Sequence, residues 1–151
     1  MNKFSFLLLV LCFSSCVSTK STIKNIDNEA IKPKIESGSF VFTDYATDKN
    51  YGFQPDYPIN IGVILEQNEE VYIDYFFNGL SGPNSEKILF KKVDSCCPFP
   101  TKNSDMGVGL LSIYEFYFEG STKKNTLYFN IYEKGKIMCP KGFSIKKLNV
   151  R

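Results

Sequence analysis

Two periods of apolar residues run along this chain, and the change between them marks its elements. From Asn125 to Glu133 (NTLYFNIYE), Leu127, Phe129 and Ile131 alternate with Thr126, Tyr128 and Asn130, the period of a half-buried strand. Gly109–Glu119 (GLLSIYEFYFE) is a second strand, and Gly120–Lys124 suits an antiparallel hairpin whose loop is longer than two residues. Ile59–Ile64 puts Ile59, Ile61 and Val63 on one face, while Ser39–Thr43, Ile88–Val93 and the pair Phe143 and Ile145 read as shorter strands. Over Glu69–Asn78 the spacing changes: Ile73, Phe76, Phe77 and Leu80 fall at i, i+3, i+4 and i+7, the stripe of an amphipathic helix. Asn68 stands at its N-cap, Glu69 and Glu70 sit in the first turn where negative charge is favoured, and Gly79 marks its stop. The predicted fold is α+β: one small domain with a mostly antiparallel sheet and one helix packed on a face.

Three connections stand out. Asp44–Pro58 carries Tyr45, Tyr51, Phe53 and Tyr57, and a loop of that length tends to be functional or disordered. Either its rings fold back over a sheet edge or they form a recognition surface, which makes Tyr51, Phe53 and Tyr57 candidate binding residues. Ser95–Asn103 (SCCPFPTKN) reads as a rigid, proline-punctuated loop, and Met106–Gly109 (MGVG) as a turn or bulge that needs positive φ or close backbone approach.

The N-terminal pattern is of another kind. Lys3 precedes an apolar run, Phe4 to Phe13, that is shorter than the roughly 20 residues of a membrane-spanning helix and suits a secretory leader. Ser14 and Ser15 lead directly to Cys16, which resembles a lipobox, with Phe13 where Leu is usual; Cys12 is a poorer site because bulky Leu11 precedes it. The expectation is a signal peptide over 1–15, a lipidated Cys16, a flexible tether over 16–38 and a domain over 39–151. The alternatives are an ordinary cleaved leader or a short buried helix. A tether of about 22 residues has an r.m.s. span of roughly 25 Å. By resemblance to Gram-negative lipoproteins, the absence of Asp after Cys16 implies the periplasmic face of the outer membrane.

Composition then narrows the chemistry. The 18 basic and 16 acidic residues leave a net charge of +2 with no concentrated basic face, so no nucleic-acid partner is expected. There is no histidine, which excludes Ser-His-Asp and Cys-His catalysis and imidazole-bound zinc. No catalytic set, cofactor or metal site is assigned. Glu115 shares a strand face with Leu111, Ile113 and Tyr117, where a carboxylate would be costly to bury unless paired.

In an oxidising compartment the remaining thiols, Cys96, Cys97 and Cys139, invite a disulfide. Adjacent cysteines bridge only with backbone strain. Cys139 paired with Cys96 or Cys97 would close a loop of roughly 42 residues, contributing about 3–4 kcal/mol. The other reading is a thiol or soft-metal site.

The segments SCCPF, GLLSIYE and LYFNIYE resemble a group of small lipoproteins of Bacteroidetes-type bacteria, over about Tyr51 to Lys147. Cys96 and Cys97 match the group's CC, and Tyr114 and Glu115 its YE, whereas Ser85, Asp94 and Cys139 depart from its pattern. Such chains are sometimes labelled 2-dehydro-3-deoxyphosphooctonate aldolase. That chemistry belongs to the (β/α)₈ barrel of about 250 residues, about twice what this domain offers. What the resemblance implies is a lipoprotein rather than a mechanism.

Two functions follow as expectations. The first is a non-catalytic envelope module, anchored in the membrane by lipid, that binds a protein or glycan through Tyr51, Phe53, Tyr57 and the SCCPF loop. The second is a thiol-active or enzymatic site centred on Cys96–Cys97 with Asp94 or Glu115.

Overall fold

The computed structural model describes residues 21–147. The leader and Cys16 lie outside the described residues. In chain order the elements are β1 (Ile35–Glu36), β2 (Ser39–Phe40), β3 (Ile59–Asn60), a 3-10 turn over Glu66–Asn68, α1 (Glu69–Asn78), β4 (Leu80–Ser81), β5 (Ile88–Pro100), β6 (Val108–Phe118), β7 (Asn125–Asn130) and β8 (Ser144–Ile145). The main sheet has the order β3-β7-β6-β5. Its β5–β6 and β6–β7 pairs are antiparallel and its β3–β7 pair is parallel. Two small antiparallel pairs, β1–β2 and β4–β8, complete an α+β domain with one α-helix among the described residues.

The helix forms over the span its apolar stripe predicts. Ile73, Phe76, Phe77 and Leu80 are all buried against the sheet face made by Phe90, Tyr114, Phe116 and Phe129. Phe77 stacks on Phe90 with ring centroids 4.0 Å apart, and Phe76 meets Phe129 edge-on at 5.1 Å. Each such ring contributes roughly 1.5–3 kcal/mol of apolar burial. Asn68 makes no side-chain cap, and Gly79 keeps a right-handed helical φ of −77°. The glycine is needed for closeness instead: a Cβ there would strike the Phe40 carbonyl oxygen of β2.

Several boundaries differ from the sequence expectation. β5 does not end at Val93 but continues through SCCPFP to Pro100, with register shifts at Lys92/Asp94 and at Cys96/Phe99, the second of which takes in Pro98. Val63 does not join Ile59 and Ile61 inside. Gly62 turns the chain at φ +96°, leaving Val63 about half exposed while both isoleucines are fully buried.

The expected tether is folded from Ser21 onward. Ile23 is buried and Ile26 half-buried in a second cluster with Phe99, Leu111, Cys97 and Tyr128 on the sheet face away from α1. The Lys24 N–H donates to the Asp56 carbonyl, and the Asp27 N–H to that of Lys134. Residues 35–40 form a hairpin whose two turn residues, Ser37 and Gly38, both have positive φ, as a two-residue turn of the primed kind requires. The folded domain therefore begins well before Ser39.

Candidate functional site

Alternation along β6 sends Tyr114 and Glu115 to opposite faces. Tyr114 faces the helix and is buried. Glu115 lies on the open face, where Lys124 reaches it at 2.9 Å and Lys91 at 4.0 Å. This solvated charge cluster edges a shallow hollow between β5 and the β6–β7 turn. The YE pair does not form one site.

The aromatic loop resolves in favour of its structural reading. Tyr51 is fully buried in the main core, and Phe53 and Tyr57 pack against it half-buried. The Tyr51 hydroxyl accepts from the Met138 N–H at 3.0 Å and donates to the Lys136 carbonyl at 3.2 Å. The Tyr128 N–H donates to the Gly52 carbonyl, which ties the loop to β7. The expectation of a recognition surface is corrected for Tyr51, which is fully buried, whereas Phe53 and Tyr57 keep part of their rings at the surface and Tyr45 is largely exposed.

The cysteines also differ from expectation. Cys96 bonds to its neighbour Cys97, and Cys139 is free and buried. Cys97 holds φ at +60°, the left-handed region, beside the second register shift of β5. The long loop-closing bridge to Cys139 is not formed, because that residue sits in the main core behind α1 while Cys97 packs in the cluster on the other sheet face. Burial pushes the Cys139 thiol up to about 12. With both neighbouring sulfurs in the bridge, neither is a thiolate nucleophile in this structure. Among the described residues no group of three His, Cys, Asp or Glu side chains is placed to hold a metal ion.

One polar constellation does converge, where α1 starts against the sheet. Glu69 opens the helix and is only 5% exposed. Its Oε1 accepts from the Tyr114 hydroxyl at 3.0 Å, and its Oε2 meets Lys92 Nζ at 2.9 Å. Strand pairing explains the convergence: Lys92 stands opposite Tyr114, so both reach the face that α1 covers. A carboxylate buried this far needs such partners, and the helix N-terminus adds favourable potential.

Beside this triad runs a groove of about 430 Å³, lined by Glu66, Lys92, Ser95, Ser112, Leu110 and Tyr132 as well as Glu69. On its solvent side the Tyr132 hydroxyl donates to Glu66 Oε1 at 2.9 Å. Partial burial, together with this acceptor, pushes the Tyr132 phenol up to about 12. Desolvation and then the Glu69 charge push Tyr114 higher still, so both phenols keep their protons at neutral pH. The groove presents carboxylate acceptors, an ammonium donor, two serine hydroxyls and the edge of a tyrosine. It offers hydrogen bonds in both directions on a pre-set frame.

Of the residues expected to form a site, only Tyr114 belongs to this constellation. Glu69 and Lys92 are readable afterwards: Glu69 lies four residues before Ile73 and so continues the apolar stripe, and a carboxylate in a buried stripe calls for a partner. No signal in the sequence pairs Tyr132 with Glu66, which lie 66 residues apart. No family model matches this chain, nor does any curated protein or solved structure.

Proposed function

We propose that this protein is a lipid-anchored component of the cell envelope whose domain is a non-catalytic binding module, and that the groove at the start of α1 receives a hydroxyl-rich glycan. The observation that carries the binding reading is the Glu69 carboxylate, held in place by Tyr114 and Lys92 at the floor of a groove that also exposes Glu66 and Tyr132. Sugar hydroxyls both donate and accept. They suit a site that mixes carboxylates, an ammonium group and hydroxyls and adds a ring edge for C–H contact. The anchor rests on the leader over 1–15 and on Cys16. Resemblance of the SCCPF and GLLSIYE segments to small lipoproteins supports the same reading. The outer membrane, on its periplasmic side, is the proposed location.

The test is titration calorimetry of the purified domain against envelope saccharides, with soluble peptidoglycan fragments and outer-membrane oligosaccharide as probes. Binding that weakens about tenfold or more in Glu66→Gln and Tyr132→Phe, a loss of about 1.4 kcal/mol or more, supports the groove. Saccharide binding that is indifferent to both variants, or capture of an envelope protein with no saccharide affinity, overturns it. Radiolabelled palmitate that fails to label the protein in cells removes the anchor.

A further inference from the structure

Ser21, the first described residue, lines the same surface hollow as Thr101, Lys102, Asn103 and Gly107, the turn between β5 and β6. Two residues on, Ile23 is buried in the second cluster, so the chain is pinned to the domain at this point. Cys16 lies five residues before Ser21. Fully extended, that stretch reaches at most about 18 Å. An 11-residue strand such as β6 is about 36 Å long. Cys16 itself is therefore within reach of the β5–β6 turn and out of reach of the β6–β7 turn at the opposite end of the sheet.

The reachable end also carries exposed apolar side chains. Met106, in the β5–β6 turn, is 88% exposed, and Val108, at the start of β6, is 46% exposed. Set side by side at the end of one hairpin, Met106 and Val108 offer apolar area to an interface. Lys102 and Asp105 share the β5–β6 turn with Met106, while the far turn, Gly120–Lys124, carries no large apolar residue.

We propose that this domain lies with its β5–β6 turn against the lipid bilayer, Met106 entering the interfacial region and Val108 facing it. The proposal rests on the lipoprotein reading. It adds an orientation: the sheet stands on its β5–β6 end, and the β6–β7 turn points away from the membrane. A short anchor and an apolar tip act together, since the acyl chains raise the local concentration of the tip at the surface and the tip adds buried apolar area.

The experiment uses the full-length protein, lipidated in cells, purified and reconstituted into vesicles of phosphatidylethanolamine and phosphatidylglycerol. Met106→Cys and Thr122→Cys are each labelled with an environment-sensitive nitrobenzoxadiazole dye. Both sites are exposed turn positions, so neither variant disturbs the core. The expected result is a blue-shifted emission, strongly quenched by spin-labelled lipid, at position 106 and neither effect at 122. The mass of the N-terminal peptide separates the two ways to fail. An acylated Cys16 with position 106 as water-exposed as 122 overturns the docking and leaves the anchor standing. A peptide without acyl mass removes the anchor, and the docking with it.

Discussion

The Tyr114 hydroxyl donates to Glu69 at 3.0 Å across the interface between helix and sheet, and joins residues 45 positions apart. The bond sets the position of α1 relative to β6, because Glu69 is the first helical residue and Tyr114 lies mid-strand. Lys92 reaches the same carboxylate from β5, so three elements meet at one group.

Breaking this junction has a direct cost. Tyr114→Phe keeps the ring and removes the donor, leaving a buried carboxylate oxygen short of a partner. A loss of about 1–3 kcal/mol in urea denaturation is expected. In a double-mutant cycle with Glu69→Gln, a coupling of about 0.5–3 kcal/mol is expected, and additivity would show that the two groups do not act together.

The aromatic loop yields a contrast between two truncations. Tyr51→Phe leaves the Met138 N–H and the Lys136 carbonyl without their hydroxyl partner and should cost about 1–3 kcal/mol. Tyr51→Ala also empties a fully buried site and should cost about 3–5 kcal/mol. If both variants melt like the parent in thermal denaturation, the loop is not part of the core.

The thiols are to be counted by alkylation and mass spectrometry. Without reductant the folded protein should take up label at none of Cys96, Cys97 and Cys139, since two are bridged and the third is buried. After reduction Cys96 and Cys97 should label, while Cys139 should wait for denaturant. A peptide linking Cys139 to either neighbour would refute this arrangement.

Alkali should weaken the fold within a defined window. The Cys139 thiol rises from its ordinary value of 9 to about 12, and the Tyr132 phenol from 10 to about 12. Folded, each group holds its proton where the unfolded chain has released it. Their contribution is complete below pH 9 and is lost as pH climbs from 9 and 10 toward 12. Melting temperature against pH should fall across that range, and Tyr132→Phe should flatten the upper part of the decline. A curve that stays level to pH 12 would contradict the burial of these groups.

A close approach offers one more check. A Cβ on Gly109 would come within 2.7 Å of the Phe99 ring and 2.8 Å of the Tyr132 ring. Gly109→Ala should therefore destabilise by about 1–3 kcal/mol through overpacking. It should also disturb the groove that Tyr132 lines. A neutral melting curve would mean that these rings move aside freely.

What the sequence determined by itself is local. α1, β6 and β7 are legible because their periods of 3.6 and 2 are properties of neighbouring residues: the stripe of Ile73, Phe76 and Phe77, and the alternation of Leu127 and Phe129. The positions of Gly107 and Gly109 also announced a turn and a close approach, and one has φ +71° and the other abuts two rings.

The tertiary structure decided which face of β6 became the core. Both faces carry apolar residues, Leu111, Ile113 and Tyr117 on one and Tyr114, Phe116 and Phe118 on the other, so the pattern alone is ambiguous. Docking of α1 buried Tyr114 and Phe116 in the main core, while on the other face Leu111 joined the second cluster and Glu115 was left to pair with Lys124 and Lys91. Other long-range contacts drew in Ser21–Gly38, buried Tyr51, kept Cys139 apart from Cys97 and brought Glu69 to Lys92 and Tyr114. Such outcomes depend on surfaces that meet across long stretches of chain, and no window of adjacent residues contains both partners.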